Sequence, residues 1–261
     1  MEFYGDYHTH SYFSDAGCSV RAVVEAAKSR GLKEVAVTDH GFRCKYLALT
    51  PAKFARQGIQ IEKIRTEYPD IKIFHGIEAD IQDFNGTVDI TPEQADKLDI
   101  LLAGFHRFVH GTSVSGYFDF IARNGFRVKE ADKKLIRRNT EAFIKAIEKY
   151  PIDILTHINH RAAVDVRAVC EAAAEYGTLI EINMKHFDLI DKNFDEMLKT
   201  DCKFIVDSDA HRADCVGEFG AITPLIRKYG LDGGRVVNLG RAPVFTRLNA
   251  YKKQRKNNGQ A

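Results

Sequence analysis

The feature of this sequence that most constrains its fold is a regular alternation of short β-rich runs with segments of helical spacing. Apolar residues recur at i, i+3 and i+4 between the runs, most clearly in the stretches that start at Val20, Arg138 and Val166. Because a helix returns the chain to the start of the next strand, the alternation predicts an α/β fold with a parallel sheet. The seven predicted strands cover residues 3–7, 34–38, 71–77, 98–103, 152–156, 178–182 and 203–206.

Two architectures have this alternation, an open doubly wound sheet and a closed barrel. The sequence contains neither G-x-G-x-x-G nor G-x-x-x-x-G-K-[ST], the motifs that typify nucleotide-binding open sheets. A length of 261 residues is normal for one α/β barrel. We therefore predict a single barrel domain over residues 1–250, followed by a basic, frayed tail over residues 251–261.

Side chains with metal-ligand chemistry stand at the C-terminal ends of the predicted strands, where barrel active sites are built. Six of the ten histidines lie there. His8 and His10 are two residues apart and share one face of extended backbone. The predicted metal ligands are His8, His10, Asp15, His40, Glu78, His106, His157, Asp209 and His211.

A strand-end histidine taken alone is more often a core residue bonded to a carbonyl than a metal ligand. Nine donors together favour a metal site, and they exceed the needs of one tetrahedral ion, so we predict two or three metals. Imidazole mixed with carboxylate suits zinc, iron or manganese rather than calcium or magnesium. Among the other histidines, His75 is expected to be structural, whereas His160 and His186 are candidates for substrate contact.

Composition excludes several classes of protein. With 38 basic and 36 acidic residues, the net charge of +2 gives no global case for binding nucleic acid or a membrane. Five cysteines without a C-x-x-C spacing predict reduced thiols. The sequence has no signal-peptide pattern and no run of ~18 apolar residues, so we expect a cytoplasmic protein.

The motifs HTHS, TDH, GIE, GFH and DSDAH, in that order, resemble the polymerase and histidinol phosphatase (PHP) superfamily, in particular its stand-alone YcdX-like bacterial phosphoesterases. The resemblance covers residues 4–250. It implies a distorted barrel of seven strand–helix units with a trinuclear metal centre. The implied sites are His8, His10, Glu78 and Asp209 for one ion, Glu78, His106 and His157 for a second, and Asp15, His40 and His211 for a third.

The predicted activity is metal-dependent hydrolysis of a small phosphomonoester. A metal pair lowers the pKa of a shared water, so the expected nucleophile is hydroxide on the metals rather than a side chain. Arg161, Lys185 and Arg107 are predicted to bind the phosphate. Asp39 and Asp6 are candidates for orienting the imidazoles.

Two alternatives remain open at the level of sequence. An exonuclease or phosphodiesterase acting on nucleic acid uses the same metal chemistry but needs a basic track for the phosphate backbone. A non-catalytic metal-binding scaffold keeps the ligands without hydrolysis. The sequence specifies neither the leaving group of the substrate, nor which metals are native, nor the oligomeric state.

Overall fold

The computed structural model describes residues 1–44, 47–113, 117–126 and 132–259. Its seven strands form one parallel sheet in sequence order. All seven predicted strands and their parallel pairing are confirmed. The strands are β1 (Gly5–Asp6), β2 (Glu34–Val37), β3 (Lys72–Asp80), β4 (Ile100–Gly104), β5 (Ile154–Leu155), β6 (Leu179–Asn183) and β7 (Phe204–Asp207).

Helices connect the strands, and local sequence sets their ends. The Ser19 side chain caps the first helix by accepting the backbone N–H of Ala22. Asp132 caps the helix Lys133–Lys149, which therefore begins before Arg138, where the apolar spacing predicts it. In the described ranges the helices are α1 (Val20–Ser29), α2 (Pro51–Glu67), α3 (Pro92–Ala95), α4 (Arg123–Phe126), α5 (Lys133–Lys149), α6 (Val166–Tyr176), α7 (Phe187–Leu198), α8 (Thr223–Tyr229) and α9 (Arg247–Asn257). A π-helical turn over Tyr117–Ala122 precedes α4.

The sheet closes between β1 and β7 largely through side chains. Asn238 lies in this gap, where its amide accepts the backbone N–H of Val206 at 3.1 Å and donates to the carbonyl of Gly5 at 3.1 Å. The backbone N–H of Tyr7 donates to the Asp207 carboxylate at 2.7 Å. The result is a nearly closed, distorted barrel of seven strand–helix units, as predicted.

The face of the strands that points into the barrel changes character along its length. On β3, Phe74, Gly76 and Glu78 share one face, since alternate residues do. Phe74 belongs to a small apolar cluster, separate from the larger core between the sheet and the helices. Glu78 is fully buried above it. The register places Asp80 beside Gly104, so polar strand ends meet at one rim.

The C-terminal segment corrects the prediction of a frayed tail from residue 251. It is helical as far as Asn257, within α9. Leu248 of this helix is fully buried, and the Lys252 ammonium donates to the carbonyl of Leu98 at 2.7 Å. Arg255 pairs with Asp96 at 3.1 Å. Two of the basic residues that suggested a solvated end, Lys252 and Arg255, therefore fix the helix to the N-terminal end of the barrel.

No helix among the described residues combines the length and apolar character needed to cross a membrane.

Candidate metal centre

All nine predicted ligands lie in one cluster at the C-terminal rim of the barrel. His157 Nε2 lies 2.6 Å from Glu78 Oε1, and Asp209 Oδ1 lies 3.4 Å from His10 Nε2. Three sets of residues have donor atoms that lie within 4.8 Å of one another, namely His10, Asp15, His40 and His211, then His8, His10 and Glu78, and finally His40, Glu78 and His106.

Glu78, on β3, is at the centre of this cluster. Its Oε2 lies 3.3 Å from His8 Nε2 and 3.3 Å from His40 Nδ1. The same oxygen lies 3.5 Å from His106 Nε2. Burial acts to raise the pKa of Glu78, but His106, His8 and His157 outweigh it and hold the pKa well below its usual range. The side chain is therefore a carboxylate at the centre of the imidazole cluster.

Buried polar atoms of the cluster are left without partners. Within the described part of the chain, His10 Nδ1, His40 Nδ1 and Glu78 Oε2 are buried and have no hydrogen bond. Since buried polar atoms in folded proteins are nearly always hydrogen-bonded, such a group needs a ligand. Imidazole and carboxylate donors are those that divalent transition metals prefer. The residues present thus fit a divalent metal cluster.

Two buried carboxylates that sequence reasoning missed orient the imidazoles. Glu181, on β6, has Oε1 at 2.6 Å from His8 Nδ1, and its Oε2 accepts the backbone N–H of His157 at 2.7 Å. Asp80 Oδ1 lies 2.7 Å from His106 Nδ1. Asp80 is two residues after Glu78 on the same strand face, and this spacing is the signal that could have identified it.

Asp39 and Asp6, predicted to orient imidazoles, instead hold the backbone around the ligands. Asp39 accepts both the backbone N–H of Ser11 at 2.7 Å and its hydroxyl at 2.5 Å. Asp6 accepts the backbone N–H groups of Ser208 at 3.1 Å and Gly217 at 2.8 Å. Their carboxylates fix the loops that carry the predicted ligands, and among the described residues neither makes a hydrogen bond to an imidazole ring.

The backbone at the rim adopts conformations that a sequence does not reveal. Asn159 and Arg161 have φ of 66° and 70°, and Asp209 has φ of 53°. Such left-handed residues cost free energy unless they are glycine, and they cluster at functional sites. The Asn159 side chain offsets this cost by accepting the backbone N–H of Val164 at 2.8 Å. In contrast, Gly104 is required, because a Cβ there would lie 2.8 Å from the His157 ring.

A pocket of about 260 Å³ opens above the metal cluster. All three cations predicted to bind phosphate, Arg107, Arg161 and Lys185, line it. Lys185 Nζ lies 3.4 Å from Asp209 Oδ1, at the edge of the cluster. His160 and His186, the candidates for substrate contact, also line the pocket and stack with ring centroids 3.9 Å apart.

The rings of this stacked pair are neutral at pH 7. Burial lowers the pKa of His186 to about 4. Burial also lowers the pKa of His160 to about 2. His75, in contrast, is buried away from the pocket against Gln57 at 3.0 Å and the Phe54 ring, as expected for a structural residue.

Comparison with known proteins identifies relatives along almost the whole chain. The family model for the PHP domain matches residues 6–221. A "Probable phosphatase" of Shewanella baltica strain OS195 is 30% identical over 260 residues, which cover 96% of this chain and 92% of that protein. A "Probable phosphatase" of Shewanella sediminis is 29% identical over 259 residues, 95% of each chain.

A solved structure shares the fold. The histidinol phosphate phosphatase of Lactococcus lactis, crystallised with zinc, L-histidinol and phosphate, superimposes with a TM-score of 0.59 at 19% sequence identity. The match covers 87% of this chain and 94% of that one. At this level of identity the likeness concerns the arrangement of strands and helices.

Proposed function

Since the chain belongs to the PHP domain family and is a metal-dependent phosphoesterase, we propose that it hydrolyses a small phosphomonoester at a centre of three divalent ions. The observation that carries the proposal is the convergence of imidazoles and carboxylates from separate strand ends on Glu78. Their unpartnered buried atoms support bound cations rather than a structural polar network.

The donors divide into three overlapping sets, and zinc, manganese or iron suits their mixture of nitrogen and oxygen. Divalent ions bound there would supply Lewis-acid charge to phosphoryl oxygens and acidify a water for attack at phosphorus. Following the resemblance of the motifs, we assign His8, His10, Glu78 and Asp209 to the first ion, Glu78, His106 and His157 to the second, and Asp15, His40 and His211 to the third. The distances also group His10 with the third set and His40 with Glu78 and His106, so the three sites are contiguous.

The chain's own carboxylates prepare the imidazoles for this task. When Glu181 accepts the Nδ1 proton of His8, the Nε2 lone pair of that ring faces Glu78 and is free to bind a cation. Asp80 does the same for His106 through Nδ1. Both rings are thereby fixed in tautomer and in orientation before any ligand arrives.

Three cations surround the position of the phosphate. Lys185 lies next to Asp209 and contacts His211 at 3.2 Å, so its ammonium is placed at the edge of the cluster. Arg161 and Arg107 line the same pocket, and a guanidinium offers two parallel donors that match phosphate oxygens. We propose that Lys185 binds the phosphoryl group that is transferred.

The pocket also supports a small substrate over a nucleic acid. Its volume of about 260 Å³ lies just below the range of about 300–1,000 Å³ that is typical of small-molecule sites. The net charge of +2 supplies no general attraction for a polyanion. Free thiols at all five cysteines support a reducing compartment, and we place the protein in the cytoplasm.

Metal analysis and hydrolysis assays on the same preparation test the proposal. The protein, purified without added metal, is analysed for bound elements and assayed for phosphate release from p-nitrophenyl phosphate. We expect divalent transition metals in the protein and hydrolysis that a chelator abolishes and metal restores. Bis(p-nitrophenyl) phosphate and single-stranded DNA serve as diester controls.

Other outcomes contradict the proposal in distinguishable ways. Faster hydrolysis of single-stranded DNA than of any monoester would indicate the exonuclease. Full metal occupancy without hydrolysis of a broad phosphoester panel would indicate a scaffold.

A further inference from the structure

The pocket above the metal cluster carries more positive charge than one phosphate requires. Lys185 lies at the cluster itself, within 3.4 Å of Asp209. Arg107 and Arg161 are two further cations on the pocket wall. With metals bound, the cluster adds its own positive charge, so a single phosphoryl dianion leaves both guanidinium groups without a counter-charge.

Neither guanidinium has a hydrogen-bond acceptor in the part of the chain that the structure describes. Among the described residues, no oxygen lies within hydrogen-bond or ion-pair distance of Arg161, and Arg107 contacts only the Phe108 ring, 4.4 Å from its centroid. Other half-buried arginines differ: Arg138 lies over the Phe84 ring, whereas Arg65 and Arg247 have acceptors. Arg65 bonds the carbonyl of Ile73 at 2.7 Å, and Arg247 bonds that of Ile147 at 2.6 Å.

Carboxylates near the two arginines are already committed. Of the described residues that line the pocket, the acidic ones are Asp15 and Asp209. Asp15 Oδ2 lies 3.3 Å from His211 Nε2, and Asp209 Oδ1 lies 3.4 Å from His10 Nε2. Both therefore belong to the metal cluster. A half-buried charge without a partner is costly, and a ligand that carries the opposite charge removes this cost.

The backbone holds Arg161 in place at an energetic cost. Its φ of 70° is in the left-handed region, a backbone conformation that residues other than glycine, asparagine and aspartate seldom adopt. Hydrogen bonds on both sides maintain it, from the Ala162 N–H to the His160 carbonyl at 2.9 Å and from the Val164 N–H to Asn159. The strained loop that contains Arg161 therefore places a positively charged side chain on the pocket wall.

We propose that the leaving group of the substrate carries a second anionic group, a carboxylate or another phosphate, and that Arg107 and Arg161 bind it. This rests on the proposed function, because it concerns the other half of the same substrate. A guanidinium binds either anion through two parallel hydrogen bonds. The stacked rings of His160 and His186 lie on the same pocket wall as the two guanidinium groups.

A cationic leaving group does not fit this pocket. An amine needs a carboxylate partner, and both acidic residues of the described lining are held by the cluster. It would also lie beside two guanidinium groups, and like charges at close range repel. We therefore expect the enzyme to discriminate against amino-alcohol phosphates such as histidinol phosphate.

Binding of non-hydrolysable phosphonates tests the inference without turnover. Four probes share a three-carbon chain and differ only at the far end, namely 3-phosphonopropanoate, propane-1,3-bisphosphonate, 3-hydroxypropylphosphonate and 3-aminopropylphosphonate. Calorimetry on the metal-loaded protein gives their dissociation constants. We expect the better of the two anionic probes to bind about 10- to 100-fold more tightly than the hydroxyl probe, the effect of one charge-assisted contact. The amine probe should bind most weakly, and comparison of the two anionic probes distinguishes carboxylate from phosphate.

Variants locate the effect. Arg107→Gln and Arg161→Gln should each reduce the preference for the anionic probe over the hydroxyl probe about tenfold. Arg241→Gln is the matched control, because Arg241 is exposed and lies near the starts of β6 and β7, away from the pocket. Circular dichroism checks that every variant is folded.

The kinetic arm compares kcat/KM for 3-phosphoglycerate, glycerol 3-phosphate and phosphoethanolamine, with p-nitrophenyl phosphate as a general substrate. Fructose 1,6-bisphosphate and fructose 6-phosphate form a second pair of substrates. A preference for 3-phosphoglycerate over the other two esters, or for the bisphosphate over the monophosphate, supports the inference if the Arg variants reduce it. If the enzyme hydrolyses p-nitrophenyl phosphate but uses glycerol 3-phosphate or phosphoethanolamine as well as or better than 3-phosphoglycerate, the anionic leaving group is wrong and the proposed function stands. An anion preference that survives both Arg variants would overturn their assignment. Absence of all hydrolysis and all phosphonate binding would overturn the proposed function as well.

Discussion

The two ends of the barrel both bury charged side chains, but they treat them differently. At the N-terminal end, Glu34 accepts the Tyr7 hydroxyl at 2.6 Å, and Asp153 accepts the backbone N–H of Leu101 at 3.2 Å and of Arg247 at 3.1 Å. At the C-terminal rim, five buried polar atoms in the described part of the chain make no hydrogen bond, namely His10 Nδ1, His40 Nδ1, Glu78 Oε2, Asp80 Oδ2 and Asp207 Oδ2.

This difference separates structural polar groups from those that await a ligand. A buried carboxylate that accepts several N–H groups stabilises the fold. In contrast, a carboxylate that faces imidazoles and has an oxygen without a hydrogen-bond donor costs free energy until a cation binds. Among the described residues near the N-terminal end, Arg235 Nε is buried without a hydrogen bond, but its guanidinium already bonds the carbonyls of Met197 and Thr200. Burial alone therefore does not identify the functional end, but the absence of partners does.

The largest expected effect is at the centre of the rim. Glu78→Gln keeps the shape of the side chain but removes the charge that faces His8, His40 and His106. We expect hydrolysis to fall by more than about 100-fold, beyond the effect of losing an outer carboxylate, with loss of bound metal. Elemental analysis and phosphate release measure both. Glu141→Gln on the exposed face of α5 is the control, and equal metal content in the two variants would contradict a bridging role for Glu78.

The opposite end should show the reverse pattern, with stability affected and chemistry spared. Leu248 is fully buried where α9 packs against the barrel. Leu248→Ala should lower the free energy of unfolding by about 2–5 kcal/mol, through lost burial and the cavity left behind. Urea denaturation measures the change, while kcat of the folded fraction should stay within twofold.

Lys253→Ala, at an exposed position of the same helix, controls for any general effect of substitutions in α9. We expect a change within about 0.5 kcal/mol. If Leu248→Ala instead impaired kcat while sparing stability, the assignment of structural and chemical roles to the two ends would be wrong.

The outer carboxylates of the rim should have an intermediate effect. Glu181→Gln removes the negative charge and leaves one acceptor oxygen in place of two, so the side chain can no longer accept from both His8 Nδ1–H and the His157 backbone N–H. We expect metal affinity or activity to fall by about 10- to 100-fold with the fold retained. Metal titration against a competing chelator is the measurement, with the exposed Glu171→Gln on α6 as control. An unchanged affinity would show that Glu181 contributes only to packing.

The sequence predicts the rim better than it predicts what surrounds it. Strand positions follow from local β-rich runs, and proposed ligands such as His106 and His157 come just after strand ends, so one-dimensional spacing is sufficient. Glu181 escapes this reasoning because its partners lie 173 and 24 residues away. Its neighbours Ile180 and Ile182 make the strand read as part of the apolar core.

The left-handed loop and α9 were beyond sequence reasoning for a related reason. The φ of Arg161 is maintained by Asn159 and Val164, contacts that no local propensity specifies. Likewise, the basic composition of α9 suggests a solvated end until Asp96 and the carbonyl of Leu98 are seen to receive its cations. Tertiary partners override local preference in both segments.

The smallest expected effect is a pH-dependent contribution of Asp153, at the N-terminal end, to the free energy of unfolding. Burial raises the pKa of Asp153 to about 7, although backbone N–H groups and Arg247 oppose the shift. The folded state therefore binds a proton that the unfolded state lacks between about pH 4 and pH 7, and this group adds stability as the pH falls from 7 towards 4. Below that window both states are protonated, and above it the contribution is lost.

Urea denaturation of wild type and Asp153→Asn at pH 8 and pH 5 isolates the contribution of Asp153, because the other titrations cancel in the difference. Wild type should gain about 1–3 kcal/mol over the variant on acidification. A difference that does not change with pH would mean that the N–H donors keep this carboxylate ionised, and that the N-terminal end satisfies its buried charge completely.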